Sequence, residues 1–578
     1  MHRRIPISSV MLIPALVSCG GGSADLLLTN ARVYTFTWTE PDVSGAPALD
    51  APYSASDGWR PDAEAVAIRD GLILFTGSVE DAEAYRGPNT EVLDLDGATV
   101  LPGLVDSHTH VPELGASLAS VDLVGVETEE EAVALVAERA RQLPAGTWIV
   151  GAGWDEGAWA DRYPDMRLLS EQVPNHPVFM RSLHTFAGWG NRMAFERAGI
   201  TAETEAPVGG EIRKDAQGQP TGLLLNRAVP LLEDAVPTPA PQQLQEQILA
   251  GLTEIVESGF VAVHDAGVSA PVMAAFEALE EEGRLPLRVY AMLSGRDTTL
   301  LARWESQGPD SDTESMLRTR SVKAFYDGAL GSRGARLLED YSDTPGHRGL
   351  GGAAYGFDAT WMRRMMTAGF QISIHAIGDA GNRESLSFIE AVYADVPEAR
   401  RNRNRIEHAQ VLHANDIPRL ADLDVIASME PAHAVEDMVW AEDRLGPDRI
   451  RGAYAWRSLR RAGASLVFNS DLPGSDWNIF YGMHAAIARK NKERAPAGGW
   501  YAEQAMTAEE TVRAYSTWAS FANFTEERTG MLETGRWADL TILSVDPLWL
   551  ESRDPGGILD GRILITIVNG RIVYRAEP

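Results

Sequence analysis

A single cysteine, Cys19, serves the whole chain, so no internal disulfide forms and no thiolate cluster holds a metal. Positive charge is scarce as well: 51 Lys and Arg stand against 82 Asp and Glu, a formal charge of −31. Such a chain repels nucleic acid and anionic lipid surfaces, which argues against nucleic-acid partners. Much of the acidity falls in stretches such as Glu127-Thr128-Glu129-Glu130-Glu131 and Glu280-Glu281-Glu282, read as solvated helix faces. Long hydrophobic runs are missing too, because the stretch from Ile5 to Val17 is mostly apolar but too short to span a bilayer. There is no internal repeat and no long low-complexity tract.

What is present at the start has a different meaning. Met1-His2-Arg3-Arg4 followed by that short apolar stretch has the pattern of a secretory signal. Leu16-Val17-Ser18-Cys19-Gly20 looks like a bacterial lipobox, in which the cysteine thiol becomes the lipid attachment point. Gly20-Gly21-Gly22-Ser23 reads as a flexible tether. The expectation is a lipoprotein signal peptide over 1–18, a tether over 19–24, and an exported chain held to a bacterial membrane through Cys19, on the periplasmic or cell-surface side.

At 578 residues the chain exceeds what one core usually supports and suits one large domain plus a smaller one. Short β-type runs separated by Gly, Asn and Asp occupy both ends: Leu26 to Tyr34, Glu64 to Ile68, Leu72 to Phe75 and Glu91 to Leu95, then Ala538 to Leu543 and Ile563 to Tyr574. They predict one small β-sandwich domain built from both chain ends, 25–100 plus 532–578. Between them, apolar strands alternate with amphipathic helices such as Gln242 to Ser258 and Pro271 to Glu282. The strands include Trp148 to Gly151, Phe260 to Asp265, Ser321 to Phe325, Gln371 to His375, Asn404 to His408, Val425 to Met429 and Leu466 to Asp471. This is the pattern of an α/β fold, a (β/α)8 TIM barrel over 101–531 with an insertion around 115–240. Thr201 to Gly222 reads as a small β excursion within that insertion.

The chemistry concentrates at strand ends. Leu101-Pro102-Gly103-Leu104-Val105-Asp106-Ser107-His108-Thr109-His110 ends an apolar run in two histidines spaced i, i+2, and on a strand such residues project to one face. Lys323, His375, His408 and Asp471 follow similar runs. Each has an ordinary alternative: barrel-top histidines, a buried ion-pair lysine, an Asp471 helix cap. Their recurrence at successive strand ends points to a metal site instead. Imidazole and carboxylate ligands suit a divalent ion, zinc above all, with manganese, iron and nickel also open.

With these motifs the chain resembles the amidohydrolase superfamily, and within it the amidohydrolase-3 branch of YtcJ-like and N-substituted formamide deformylase-like proteins. The resemblance spans nearly all of the chain. It rests on Leu101 to His110, Gly153-Trp154-Asp155, Gly209 to Ile212, His264 to Val268, Val322 to Arg333, His375-Ala376-Ile377-Gly378-Asp379, Arg405 to Gln410, Ser470-Asp471 and Gly530 to Leu540. It implies that His108 and His110 hold one metal and that His375 and His408 hold the other. Lys323, carboxylated on its amine, would bridge the two, and Asp471 would bind the first metal and manage protons. One or two ions per chain fit this set. The chain departs from the common family wording at Arg181-Ser182-Leu183-His184, where many relatives carry Asp-Gly-His, and at Glu430-Pro431, where Gln-Pro is frequent. Both places are read as substrate-pocket lining.

The function implied is metal-dependent hydrolysis of an amide-type, non-peptide carbon–nitrogen bond in a small-molecule substrate. Asp471 and Lys323 are the catalytic choices. His184, His264 and His433 are read as substrate-orienting or oxyanion-stabilising groups; Asp327, Arg333 and Asp379 as shaping the pocket; and Glu407 as support for a ligand rather than a ligand. Among the 15 tryptophans, Trp154, Trp159 and Trp189 fall in the insertion near the expected pocket mouth. Deamination, ester cleavage and carbamate cleavage on the same scaffold stay open, as does a non-catalytic solute-binding surface lipoprotein. Substrate identity and oligomeric state are not legible.

Overall fold

The structure is a computed structural model that describes residues 22–154, 163–182, 187–207 and 209–577. Cys19, Trp159 and His184 lie outside the described residues. Two small sheets pack against each other at the chain ends. One joins Leu26–Thr29, Ala65–Arg69, Leu72–Gly77 and Glu91–Asp94; the other joins Arg32–Val33 and Thr99–Pro102 to Leu540–Leu543, Ile563–Val568 and Arg571–Arg575. The two termini meet in the second sheet, where Thr99–Pro102 runs antiparallel to Leu540–Leu543 with Val100 opposite Ile542. Leu28, Val66 and Ile68 from one sheet and Val100, Ile542 and Ile567 from the other fill the space between them. Each such fully buried aliphatic side chain contributes about 1.5–3 kcal/mol.

Eight parallel strands form the large unit: β1 Leu104–Thr109, β2 Phe260–Val268, β3 Arg288–Ser294, β4 Leu317–Phe325, β5 Gln371–Ala376, β6 Arg405–His408, β7 Ile426–Met429 and β8 Leu466–Phe468. They are buried on both faces, as a parallel sheet covered by helices requires. Closure is made just beyond β8. The Asp471 N–H donates to the His108 carbonyl at 3.1 Å and the His110 N–H donates to the Leu472 carbonyl at 2.9 Å. The seam of the barrel therefore brings Asp471 against the two histidines of β1. Helix Pro241–Glu257 lays Ile248, Leu252 and Ile255 on the barrel and crosses helix Val111–Ala119 at a glycine contact, where a Cβ on Gly115 would collide with the Gln247 carbonyl.

The insertion is a separate six-stranded mixed sheet in the order Val121–Asp122, Ile149–Trp154, Val178–Ser182, Ala187–Gly190, Pro220–Asn226 and Gly210–Lys214. The run Trp148 to Gly151, grouped by its alternation with the barrel strands, belongs here: Ile149–Trp154 pairs with Val121–Asp122 and Val178–Ser182. The strand it displaced from the barrel series is β3, whose apolar residues Val289, Tyr290, Ala291, Met292 and Leu293 are all buried. Trp154 and Trp189 are also fully buried, their rings 6.4 Å apart inside the insertion, and so pack its core instead of a pocket mouth. Among the described residues no helix is long and apolar enough to cross a membrane.

Candidate metal centre

Strand alternation builds the interior of the barrel in polar layers. Ser321 and Ser373 meet across β4 and β5 with their hydroxyls 3.0 Å apart, and two residues further along come Lys323 and His375. On β6 the inward pair is Arg405 and Glu407, with Glu407 in register with His375. Arg405 donates to both Glu407 oxygens, at 2.7 and 2.9 Å, and to the Ser107 carbonyl at 2.7 Å. Glu407 Oε2 lies 2.6 Å from His108 Nδ1. A carboxylate only accepts, so Nδ1 carries the proton and Nε2 presents its lone pair to the centre of the barrel. The Lys323 amine donates to that nitrogen at 2.7 Å.

His408 follows Glu407 directly, and simple alternation would send it to the opposite face. Its backbone is left-handed, φ 72°, as is that of Ala409, φ 40°. The strand ends there and the imidazole is re-aimed inward, with its ring 5.2 Å from that of His108 and 4.4 Å from that of His375. Asp471, φ 56°, is similarly turned. Non-glycine residues held in this region cost about 1–3 kcal/mol each and persist where surrounding structure over-determines them. Asp106 provides part of that surround, since its carboxylate accepts the Ser470 N–H at 3.0 Å and the Ser470 hydroxyl at 2.5 Å. Asp265 does the same after β1, accepting the Val111 N–H at 2.7 Å. Burial pushes both carboxyls up to about 7.

Two groups of donors result. His110 Nε2 and His108 Nε2 lie 3.3 and 3.7 Å from Asp471 Oδ1. His408 Nδ1 lies 3.2 Å from Glu430 Oε1, and His433 Nδ1 lies 3.4 Å from Glu430 Oε2. Tetrahedral ligands bonded at about 2.0–2.2 Å stand about 3.3–3.6 Å from one another, so these separations are those of neighbouring ligand atoms. The buried atoms His375 Nε2, His408 Nδ1, Glu430 Oε1 and Asp471 Oδ1 have no hydrogen-bond partner among the described residues. Unpaired buried polar atoms are costly, and a divalent cation would satisfy them. The donor chemistry and the spacing both fit such an ion.

Electrostatics prepare the donors. Burial lowers His108 to about 4 and holds His375 well below the usual imidazole value, so both are neutral. Burial alone would raise Asp471, yet His110 and the surrounding imidazoles hold its carboxyl well below the usual range. Burial likewise opposes a charged His110, but Asp471 raises its pKa, and in the same way Glu430 raises His433 to about 9. A bound cation would take the place of those protons. Burial pushes the Lys323 amine down to about 8.

The remaining expected residues stand around the donors instead of among them, with the Asp327 carboxylate 3.9 Å from His375 Nε2. His264 is fully buried, and its Nδ1 accepts from Arg405 at 2.9 Å. Asp327 accepts the backbone N–H groups of Arg336, Ile377 and Gly378 at 2.8–2.9 Å, and Asp379 accepts that of Leu338 at 2.8 Å, so both tie loops beneath the strand ends. Arg333 pairs with Asp343 at 2.7 Å near the surface. Glu407, expected as support for a ligand, holds His108; not legible in the sequence were Arg405 as its clamp and Asp106, which extends the i, i+2 series Asp106, His108, His110.

The amidohydrolase family model matches residues 91–574. Over 523 residues the chain is 32% identical to YtcJ of Bacillus subtilis (strain 168), covering 88% of this chain and 96% of that protein. Over 571 residues it is 27% identical to the N-substituted formamide deformylase of Arthrobacter pascens, covering 95% and 98%. A metal-dependent hydrolase from Pyrococcus furiosus of known structure superposes with a TM-score of 0.72 at 26% identity, over 90% of this chain and 99% of that one. The match runs from the small β domain through all eight barrel strands and back into the closing sheet, so the chain belongs to the amidohydrolase family and is a hydrolase.

Proposed function

We propose that this protein is a metal-dependent hydrolase that cleaves a carbon–nitrogen bond in a small amide-type, non-peptide substrate at the end of the barrel where His108, His110, Lys323, His375, His408 and Asp471 meet. The observation that carries this reading is the convergence of buried, unpartnered donor atoms at ligand spacing. Divalent ions held there supply a polarised carbonyl and a water ionised near neutral pH. Glu407 and Arg405 keep the His108 ring in the tautomer that presents Nε2. Asp471 takes the proton of the attacking water and delivers it to the departing nitrogen as the C–N bond breaks, leaving a carboxylic acid and an amine. A transfer of this kind is worth about 10²- to 10⁴-fold in rate. The Lys323 amine, lowered by burial, would react in its neutral form with carbon dioxide, forming an N–C bond and releasing one proton to solvent, to give a carbamate able to serve as an anionic ligand. The name of the Arthrobacter pascens relative makes N-formyl compounds the first substrates to try.

Metal analysis of purified protein combined with a screen of N-acyl, N-formyl and carbamate compounds tests the reading. Divalent ions at one or two per chain, with turnover of at least one amide, are expected. A content well below one ion per chain, with turnover indifferent to added bicarbonate, would sink it. We also propose that the chain is exported and lipid-anchored through Cys19, on the strength of the Leu16 to Gly20 motif.

A further inference from the structure

Glu430 stands immediately after β7, a strand that contributes none of the expected ligands, and it is 3% exposed. Its Oε1 is 3.2 Å from His408 Nδ1, and neither atom has a hydrogen bond of good geometry among the described residues. Two buried polar atoms at this spacing with no hydrogen bond to satisfy them have the separation of neighbouring ligands. The second oxygen of Glu430 is 3.4 Å from His433 Nδ1, and one donor atom from each of His408, Glu430 and His433 lies within 4.8 Å of the others. From the geometry we infer that Glu430 is a ligand of the second metal ion, binding through Oε1 beside His408, and that His433 steadies its other oxygen. This inference rests on the metal-dependent reading above and deepens it.

The residue type matters for the chemistry of that ion. A glutamine here would offer a neutral carbonyl oxygen, whereas a glutamate brings a full negative charge of its own to a cation otherwise met by imidazole nitrogens and by whatever the shared Lys323 supplies. Carboxylate oxygen also broadens the site toward harder ions such as manganese and iron beside zinc. The first group already has such a charge in Asp471, so Glu430 gives each ion a carboxylate of its own.

The test is a metal titration of the full-length protein after chelation, read by elemental analysis and, with cobalt(II), by the visible absorption of the bound ion. Wild type is expected to hold two ions. Glu430→Gln is expected to keep one at wild-type affinity and to weaken the other by at least about tenfold, with loss of one cobalt absorption component. The metal-free melting temperature of the variant checks its fold. If Glu430→Gln does not fold, Glu430→Asp decides, because its carboxylate is drawn back by one methylene and should weaken the second ion alone. A variant that binds two ions as tightly as wild type overturns the assignment of Glu430 and leaves the metal-hydrolase reading standing. A wild type with a single ion also overturns the assignment while leaving a one-metal hydrolase. A wild type with well below one ion overturns both.

Discussion

The proposed mechanism gives Asp471 two tasks, metal binding and proton transfer, and substitution separates them. Asparagine preserves the shape and one carbonyl oxygen at 3.3 Å from His110 Nε2, but it cannot accept the proton of water. Asp471→Asn is expected to retain most of its bound metal and to lose about 10²- to 10⁴-fold in turnover. Retained turnover at normal metal content would remove Asp471 from proton transfer. At this scale His108 and His110 were legible because a period of two is a local property of a strand. His408 was legible as a residue but not as a direction, since a backbone φ of 72° turns it and nothing in Arg405-Ile406-Glu407-His408 announces that angle. Glu430 was visible only as a departure from the common family wording. Its unpaired oxygen facing His408 appears once β6 and β7 lie side by side.

Among the secondary elements, helix Ala508–Ala514 carries a titratable contact outside the centre. Its first N–H, on Ala508, donates to Glu551 Oε1 at 3.1 Å. A helix N-terminus favours an anion, but burial, together with the charges of Glu510 and Glu509, outweighs the Ala508 bond and raises Glu551 from 4.5 to about 6. A raised folded-state pKa means that the folded chain binds the extra proton. The stability this group contributes is present below about pH 4.5 and is lost as pH rises through 6. Glu551→Gln keeps the acceptor and removes the titration. The variant is expected to exceed wild type by about 2 kcal/mol at pH 7.5, with the gap shrinking below about 1 kcal/mol at pH 5. Denaturation midpoints at the two pH values measure this, and a gap independent of pH would refute it. Element types were largely legible from periodicity, whereas element membership was not. Trp148 to Gly151 and Arg288 to Ser294 are both short apolar runs, and only their partners assign one to the insertion and the other to the barrel.

For the whole molecule, the junction between barrel and small β domain rests on a buried ion pair. Arg288 at the start of β3 donates to Asp539 at 2.8 and 3.3 Å and stacks 3.7 Å from the centre of the Trp537 ring, while Asp539 also accepts the Asn569 N–H at 2.7 Å. Asp539→Ala leaves a buried guanidinium without its counter-charge and is expected to cost about 3–5 kcal/mol. A loss under about 1 kcal/mol by chemical denaturation would show that the junction does not depend on it. The proposed anchor is tested at the same scale. Expressed in a bacterium, Cys19→Ser is expected to move the protein from the membrane fraction to the soluble one, and an unchanged distribution would dismiss lipidation at that residue.

The sequence by itself determined the periodic features. Alternating strands and helices specify a parallel barrel, β-type runs at both termini specify a small sheet domain, and histidines at strand ends mark the proposed site. These are properties of neighbours along the chain, read from spacing alone. Tertiary structure decided what depends on residues far apart in sequence. Closure of the barrel sets Asp471 against His108 across 363 positions, the Arg405–Glu407 clamp selects the tautomer of His108, and the approach of β7 to β6 delivers Glu430 to His408. The physical reason is common to all three. Ligand geometry is fixed to a few tenths of an ångström by backbone hydrogen bonds and buried charge, and those form only when distant segments exclude water from the same small volume.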